Sequence, residues 1–389
     1  MSDSQSNNPR GATLANWRTA PYNTWSFRHV RDLLPSAAIR RGTNFRALPR
    51  STRALHNFRF EDRDGGMHTL EQHLAQTHTD ALVILHRGAV VHERYWNGMR
   101  GDEQHILMSV SKSMTALLAG VLIGEGKLDP DGLVTDYIPA AKGGGFEGAT
   151  VRHLLDMRTG IEFDEDYLAT GGAIIQYREA MGWNPPLNPG DKSDLRSFLP
   201  TLPASRAHGG HFQYVSPNSD MLTWITEEAG GRSYAELFSE KIWRPMGAEF
   251  DAYVTVDRLG GARGAGGVCM TARDLARVGQ MMLDGGSSDG TPVIPSEWVT
   301  DTATGGDREA WANGNFAYFF PGGAYRNKWY QYGNDLGAYC GLGIHGQFVY
   351  VAPGADVVIA RFGSHPQPLD DRSECLWVDA MDAIARALA

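Results

Sequence analysis

A serine and a lysine stand three residues apart, at Ser109 and Lys112, where a long apolar segment begins. Residues three apart lie on one face of a helix, so a helix that begins here places the Ser109 hydroxyl beside the Lys112 amine. The N-terminus of a helix also presents free backbone N–H groups, which stabilise negative charge on a substrate oxygen. The pair therefore predicts a nucleophile, its base and part of an oxyanion hole within one turn of chain.

A purely structural interpretation of the same pair is also open, in which Ser109 caps the helix and Lys112 extends into water. The chain contains six lysines, and Lys112 is the only one that follows a serine by three residues. Ser-x-x-Lys is a short pattern, so the choice between the two interpretations depends on the other motifs of the chain.

Tyr214, two residues before Ser216, is a second candidate for proton transfer. A tyrosine near a lysine can share such a task, because the ammonium lowers the pKa of the phenol towards the working range. We therefore expect Lys112 and Tyr214 to act together. The structural alternative is a half-buried aromatic side chain before a helix that is capped by Ser216, Asn218 or Ser219.

A glycine-rich segment, residues 341–347, precedes a predicted strand near the end of the chain. Glycines allow a strand edge to approach a ligand closely and to expose its N–H groups. Glycine before a strand also marks ordinary turns and bulges, so this motif gains meaning only together with the first two.

Residues 286–290 fit Gly-x-Ser-x-Gly, the nucleophile elbow of α/β-hydrolases. An elbow needs a buried strand before it and a helix after it. This segment instead follows a predicted helix and precedes Thr291 and Pro292. We therefore predict a polar turn here and no catalytic role for Ser288.

The elements that must position these residues are strands at both ends of the chain and helices between them. Two hairpins are predicted, from residues 81–85 and 89–96 and from residues 348–352 and 357–362, with a helix over 375–388 after the second. The helical patterns between the hairpins are residues 151–158, 220–229, 234–242 and 271–283.

This distribution predicts an α/β (α+β) fold with one antiparallel sheet, assembled from both ends of the chain and flanked by helices. We assign residues 69–145 and 260–389 to the sheet domain and residues 146–259 to an inserted, mostly helical domain. Residues 1–68 are expected to form an arm that packs on the body and has no part in function.

Composition excludes several classes of partner. The 389 residues carry a formal charge of -9, without the basic face that nucleic acid or an anionic membrane requires. No His-Glu-x-x-His occurs and the three cysteines are far apart, so we expect free thiols, no metal site and no cofactor. The polar start has no export pattern and no apolar segment could span a membrane, which predicts a cytoplasmic protein.

The order of the three motifs resembles that of the serine β-lactamase and penicillin-binding-protein family, over roughly residues 70–389. The likeness is strongest to its class C-like esterase and amidase branch, and within it to the 6-aminohexanoate-dimer hydrolases. The segments that carry the resemblance are residues 109–113, 150–155, 159–161, 165–167, 212–214, 245–247, 266–268, 271–277, 281–286 and 343–347.

The resemblance implies a role for each matching residue. Ser109 would be the nucleophile, Lys112 its base and Tyr214 the second proton carrier, while the backbone N–H groups of Ser109 and Ile344 would form the oxyanion hole. The side chains implied to contact substrate are Tyr167, Arg178, Trp183, Ala265, Tyr330 and His345. Among these, Tyr167 would assist the leaving nitrogen and Trp183 would close over the cleft.

Two departures from the family pattern narrow the expected substrates. The usual Lys-Thr-Gly is absent at residues 343–346, which removes the cation that would hold the carboxylate of a penicillin or a peptidoglycan stem. Arg178 stands where an acidic residue would meet the free amine of 6-aminohexanoate dimer, and it repels an ammonium group.

The resulting expectation is a serine hydrolase that cleaves small linear amides, short-chain carboxylic esters or both through an acyl-enzyme on Ser109. Its partner would be a small-molecule substrate, and a homodimer is compatible with the sequence. The alternative is a penicillin-recognising protein, such as a β-lactamase, a DD-peptidase-like enzyme or a slowly acylating sensor. Repeated turnover at Ser109 distinguishes the hydrolase from the sensor.

Overall fold

The computed structural model describes residues 11–53, 55, 57–186, 188, 190 and 193–389, so residues 1–10 of the expected arm lie outside the described residues. The strands in chain order are β1 Ser36–Ile39, β2 Arg59–Glu61, β3 Met67–Thr69, β4 Thr79–His86, β5 Ala89–Tyr95, β6 His105–Ile106, β7 Ala252–Thr255, β8 Val268–Met270, β9 Ser287–Ser288, β10 Thr291–Pro292, β11 Ala324–Arg326, β12 Trp329–Gln331, β13 Tyr339–Gly343, β14 Gln347–Ala352 and β15 Val357–Gly363.

The α-helices in chain order are α1 Asn23–Ser26, α2 Leu70–Gln76, α3 Val110–Gly124, α4 Val134–Tyr137, α5 Val151–Leu155, α6 Ala173–Ala180, α7 Leu195–Phe198, α8 Pro217–Gly230, α9 Tyr234–Phe238, α10 Arg244–Met246, α11 Ala272–Leu283, α12 Ser296–Thr304, α13 Arg308–Ala312 and α14 Asp371–Leu388. None of these helices, in the described part of the chain, combines the length and apolarity that crossing a membrane requires.

The main sheet is antiparallel and has the strand order β11-β12-β13-β14-β15-β4-β5. The last strand of the chain, β15, pairs with β4 from the N-terminal hairpin, with Ile359 opposite Ile84. This pairing confirms that both ends of the chain build one sheet. Both predicted hairpins are present within one or two residues of their expected bounds.

Successive side chains of a strand in this sheet point to opposite faces, and each face packs against its own apolar layer. On β4, Val83 belongs to the layer that contains α3 and α11, whereas Ile84 belongs to the layer that contains α14. At Gly279 of α11 a Cβ atom would lie 2.4 Å from Val358 Cγ1, so glycine permits the close approach of this helix to the sheet.

The helix that follows Ser109 runs through the interior of the molecule. Almost every residue of α3 is buried, as expected for a helix that is apolar on all sides. It packs against α8 on one side and against β13 and β14 on the other. The start of α3 therefore lies where the main sheet meets the helical region.

A second, smaller sheet with the order β1-β7-β8-β6 was not anticipated from the sequence. Its edge strand β1 comes from the N-terminal arm and pairs with β7, with Ala38 opposite Tyr253. The arm is thus part of the packed structure. The predicted helices between the hairpins are confirmed as α5, α8, α9 and α11, although α5 is shorter and a π-helical segment, Ser239–Trp243, follows α9.

The Gly-x-Ser-x-Gly segment forms a small polar hairpin of β9 and β10 directly after α11. The Ser288 hydroxyl donates a hydrogen bond to the carbonyl of Met246 at 2.8 Å. The prediction of a polar turn, without the strand and helix of a nucleophile elbow, is therefore confirmed. The three cysteines are free thiols, as expected.

Candidate active site

Ser109 and Lys112 meet at the start of α3. The Lys112 ammonium donates hydrogen bonds to Ser109 Oγ and to the carbonyl of Ala265, both at 2.8 Å. Ser109 occupies the N-cap position, but its hydroxyl forms no capping hydrogen bond. The preceding Met108 has φ 45°, a backbone conformation that residues with side chains seldom adopt. The hydroxyl thus contacts the amine instead of capping the helix.

Burial changes the acid–base character of Lys112, whose side chain is almost completely enclosed. Desolvation lowers the pKa of Lys112 to about 7, with Glu165 and Asp220 opposing this shift and Arg263 adding to it. A lysine with such a pKa is substantially neutral at physiological pH. It can therefore accept the proton of the Ser109 hydroxyl.

Tyr214 lies beside this pair but differs from expectation in its protonation. Its ring centroid is 4.9 Å from Lys112 Nζ, and its phenol has side-chain hydrogen bonds with Ser109 and Tyr167. Burial raises the pKa of Tyr214, and the negative charge of Glu165 raises it further. The expected lowering by the lysine is wrong, because desolvation dominates in an enclosed site. Tyr214 therefore holds its proton and can donate it.

Two backbone N–H groups are available at the nucleophile. Within the described residues, the structure gives no backbone acceptor for the N–H of Ser109 or of Ile344. Gly343 brings the end of β13 against the turn that contains Ser109, where a Cβ atom would lie 2.7 Å from the Leu107 carbonyl and 2.9 Å from the Ser109 nitrogen. Only glycine fits this approach, which places Ile344 at the same cavity as Ser109.

A small space, here called the inner cavity, opens beside Ser109 and has a volume of about 40 Å³. The site residues implied by the sequence that line it are Ser109, Tyr167, Arg178, Trp183, Ala265 and Ile344. A single water needs at least roughly 10–15 Å³ of such space, so the inner cavity holds only a small group.

A larger space of about 610 Å³, here called the outer cleft, lies on the other side of Tyr167. It is lined by Tyr167 and Tyr214 together with the carboxyl groups of Asp164, Glu165, Asp166, Asp370 and Asp371. Tyr167 and Glu165 line both spaces, so the inner cavity and the outer cleft adjoin at these two residues.

His345 and Tyr330 lie outside the residues that line either space. The His345 ring packs on Phe27 with the ring centroids 5.0 Å apart, and its Nδ1 lies 2.7 Å from the His365 carbonyl. Burial lowers the pKa of His345 to about 4, so the ring is neutral. Tyr330 is buried against Tyr325. The structure does not bring these two residues to the cavity walls.

One residue of the N-terminal arm, which no motif of the sequence indicates, reaches the site. Arg18 lines the inner cavity, and its Nη2 donates to Asn184 Oδ1 at 2.5 Å. The neighbouring Trp17 is fully buried, contacts the Trp183 ring edge to face and donates its indole N–H to the Trp183 carbonyl at 3.1 Å. The expectation that the arm has no part in the site is therefore wrong at this position.

Glu165, which the sequence indicates only as part of a segment that resembles the family, lines both spaces of the site. Its carboxylate accepts hydrogen bonds from both the backbone N–H of Ser216, at 2.7 Å, and the Ser216 hydroxyl. Ser216 thus holds a carboxylate through both its backbone and its side chain. No signal in the sequence alone relates these two residues, which are separated by 50 intervening positions.

Arg263 and Asp220 form a buried ion pair behind the inner cavity. Arg263 also donates to the Tyr177 hydroxyl at 2.7 Å, and the other Asp220 oxygen accepts the backbone N–H of Ala265 at 2.9 Å. The Ala265 carbonyl in turn accepts a hydrogen bond from Lys112. The pair therefore fixes the backbone that holds the lysine.

Comparison with known proteins supports the resemblance described above. The sequence profile of the beta-lactamase family matches residues 67–381. The 6-aminohexanoate-dimer hydrolase of Paenarthrobacter ureafaciens is 40% identical over 358 residues, which cover 92% of this chain and 89% of that protein. Esterase EstB of Burkholderia gladioli is 28% identical over 171 residues, 41% of each chain.

Among solved structures, a Bacillus anthracis protein described as a candidate 6-aminohexanoate-dimer hydrolase has a TM-score of 0.88 and 29% identity. The match covers 100% of this chain and 99% of that protein. The likeness thus includes the N-terminal arm, which the family profile does not reach.

Proposed function

This chain belongs to the beta-lactamase family, and on that basis we propose that it is a serine hydrolase of small linear amides and short-chain carboxylic esters. The observation that carries the proposal is the 2.8 Å contact between Ser109 Oγ and Lys112 Nζ. The lysine is buried with a pKa of about 7, so the nucleophile has a competent base at neutral pH.

Acylation begins when neutral Lys112 takes the Ser109 proton and Oγ attacks the substrate carbonyl carbon. The negative charge that develops on the carbonyl oxygen is stabilised by the N–H groups of Ser109 and Ile344. The Ser109 N–H also lies at the N-terminus of α3, where the helix dipole favours negative charge.

Tyr214 completes acylation by giving its proton to the leaving nitrogen or oxygen as the carbonyl–leaving group bond breaks. Its raised pKa keeps it protonated until this step. The tyrosinate is then neutralised by the proton that Lys112 took from Ser109, which restores both groups. Ser109, Lys112 and Tyr214 thus form one relay: the leaving group takes the Tyr214 proton, Tyr214 takes the proton that Ser109 lost, and Lys112 is neutral again.

Deacylation repeats the sequence with water as nucleophile. Lys112 accepts a proton from water, the hydroxide attacks the acyl-enzyme, and Ser109 Oγ regains its proton as the carboxylic acid is released. In the preceding acylation step we assign the contact with the leaving group to Tyr167, a role supported by its position in the lining of both the inner cavity and the outer cleft.

The penicillin-recognising alternative is less well supported by the geometry. His345 lies in the glycine-rich segment that lacks the lysine of the family motif, and it is buried and neutral, with its Nδ1 2.7 Å from the His365 carbonyl. It offers no cation to a penicillin carboxylate, so we expect nitrocefin to be a poor substrate. The relationship to an amide hydrolase and to an esterase favours linear substrates.

The proposal is tested by hydrolysis of p-nitrophenyl butyrate. Ser109→Ala should lose activity by a factor of about 10⁴ or more, because it removes the nucleophile. The protein should stay folded, because the Ser109 hydroxyl makes no capping hydrogen bond. Ser288→Ala is the matched control and should retain full activity. Activity in Ser109→Ala together with loss in Ser288→Ala would overturn the proposal.

A further inference from the structure

Two guanidinium groups face the inner cavity without a carboxylate partner. Arg178 is nine-tenths buried, and its Nη2 donates to the Tyr167 carbonyl at 2.8 Å. Arg18 donates to Asn184, while its buried Nε has no hydrogen-bond partner. Among the described residues, neither group forms an ion pair of the kind that neutralises Arg263.

The carboxylates around these arginines are already engaged elsewhere. Glu165 is held by Ser216, and Asp220 by Arg263. Glu165 and Asp166 act on Arg178 only at longer range. Burial lowers the pKa of Arg18 to about 9, with further lowering by the positive charges of Arg178 and Arg263. An anion between Arg18 and Arg178 would compensate both guanidinium groups for their lost hydration and would offset the repulsion between their positive charges.

The position of the proton donor shows which half of a substrate enters this space. Tyr214 lines the outer cleft and is absent from the lining of the inner cavity. A leaving group that receives its proton from Tyr214 therefore lies on the side of the outer cleft. The acyl chain, bound to Ser109, extends into the inner cavity towards the two arginines.

Building on the proposed hydrolase, we propose that the inner cavity binds a carboxylate at the end of the acyl chain through Arg18 and Arg178. The preferred substrates are then monoamides and monoesters of short dicarboxylic acids. Ile174 and Met181 provide apolar surface for the methylene groups, and the small volume limits their number. The negative charge at the end of such an acyl chain is opposite to that of 6-aminohexanoate dimer, whose acyl half ends in an ammonium group.

Three ethyl esters with acyl chains of similar length test this inference by their released ethanol. They are monoethyl succinate, ethyl butyrate and ethyl 4-aminobutyrate, which end in an anion, a neutral methyl group and a cation. We expect kcat/KM to be about tenfold or more higher for the succinate than for the butyrate, and lowest for the aminobutyrate, as for charge-assisted hydrogen bonds. Equal values for succinate and butyrate would overturn the inference.

Arginine variants connect the preference to the two named residues. The succinate-to-butyrate ratio should fall in Arg18→Gln and in Arg178→Gln, and it should approach one in the double variant. Arg232→Gln, which removes an exposed arginine paired with Glu240, is the control and should keep the ratio. A ratio that persists in the double variant would contradict the assignment.

A binding measurement separates this inference from the proposed function. Ser109→Ala should bind succinamate, the monoamide of succinic acid, more tightly than butyramide in isothermal titration calorimetry. The difference should be lost when Arg178→Gln is added. Succinamate binding without turnover of any ester would overturn only the proposed function, whereas ester turnover without the binding difference would overturn only the carboxylate site.

Discussion

The inner cavity and the outer cleft adjoin at Tyr167 and Glu165, yet they differ in size, enclosure and charge. The inner cavity is small, and its lining includes, besides the single carboxylate of Glu165, the side chains of Arg18 and Arg178, which form no ion pair within the described part of the chain. The outer cleft is about fifteen times larger, taking about 610 Å³ against about 40 Å³, and carries carboxyl groups. Ser109, the proposed nucleophile, lines the first space, and Tyr214, the proposed proton donor, lines the second.

This difference indicates that the two halves of a substrate are recognised with unequal strength. A charge in an enclosed site interacts through a low effective dielectric constant, whereas exposed charges in an open cleft are screened by water and salt. Arg178 is buried, while Asp164 and Asp166 are exposed. We therefore expect the acyl half to decide selectivity and the leaving half to have a weaker influence.

The largest effects should come from the relay at the boundary between the two spaces. Lys112→Met and Tyr214→Phe should each lower the acylation rate by about a hundredfold or more, because each removes one proton carrier. The double variant should lose much less than the product of the two, as groups that act as a unit do. Ethanol release from ethyl butyrate tests this, because kcat/KM for that ester reports acylation with a leaving group that must take up a proton.

Tyr95→Phe is the control for these variants, because it removes a phenol that donates to Glu93 on β5, and neither residue lines the inner cavity or the outer cleft. It should leave the acylation rate unchanged. Losses that multiply in the Lys112 and Tyr214 double variant would show that the two residues act independently, and the shared relay would be abandoned.

The pH dependence of turnover should reflect the pKa of Lys112, which burial lowers to about 7. Protonated Lys112 cannot accept the serine proton, so kcat/KM for p-nitrophenyl butyrate should fall about tenfold per pH unit below about 7. Above that pH the lysine is neutral and the rate should level off. A profile that keeps rising to pH 10 would mean that the amine titrates as an exposed lysine does.

Reversing the charge of the inner cavity should change substrate preference by a smaller factor. Arg178→Asp should raise the ratio of kcat/KM for 6-aminohexanoate dimer to that for p-nitrophenyl butyrate by about fivefold, since an ammonium then meets a carboxylate. Arg178→Gln should lie between this variant and the wild type. An unchanged or lower ratio in Arg178→Asp would show that residue 178 does not contact the acyl end.

The smallest effect should come from loosening the arm that carries Arg18. Trp17→Phe keeps an aromatic ring against Trp183 but loses the hydrogen bond to its carbonyl. We expect the preference for monoethyl succinate over ethyl butyrate to fall about twofold, in line with one hydrogen bond of moderate strength. Kinetics on the two esters measure this ratio.

Trp377→Phe is a matched control, because Trp377 is also buried and its indole N–H donates to Thr77 on the opposite face of the sheet. A similar loss of preference in both tryptophan variants would point to general destabilisation. The role of the arm in placing Arg18 would then be refuted.

The parts of this molecule that the sequence predicts are those fixed by local geometry. Ser109 and Lys112 lie three apart on one helix, so their contact depends on little beyond the helix itself. The two hairpins follow from alternation and turn residues, and the shared sheet follows from their positions at the two chain ends.

The features of the site that the sequence does not predict depend on contacts between distant segments and on burial. Arg18 reaches the inner cavity because the arm packs through Trp17 on Trp183 and β1 pairs with β7, which no local pattern indicates. The pKa of Tyr214 has the opposite direction from expectation because enclosure outweighs a neighbouring amine. Charge and spacing are visible in a sequence, but desolvation is a property of the folded molecule.

The central claim is an acyl-enzyme on Ser109, and peptide mass mapping after acid quench tests it most directly. The protein is mixed with p-nitrophenyl butyrate and quenched within the first turnover. We predict one butyryl group on the peptide that contains Ser109, followed by many equivalents of product per protein at longer times. A butyryl group on another residue, or repeated turnover with no covalent adduct at any time, would contradict the account.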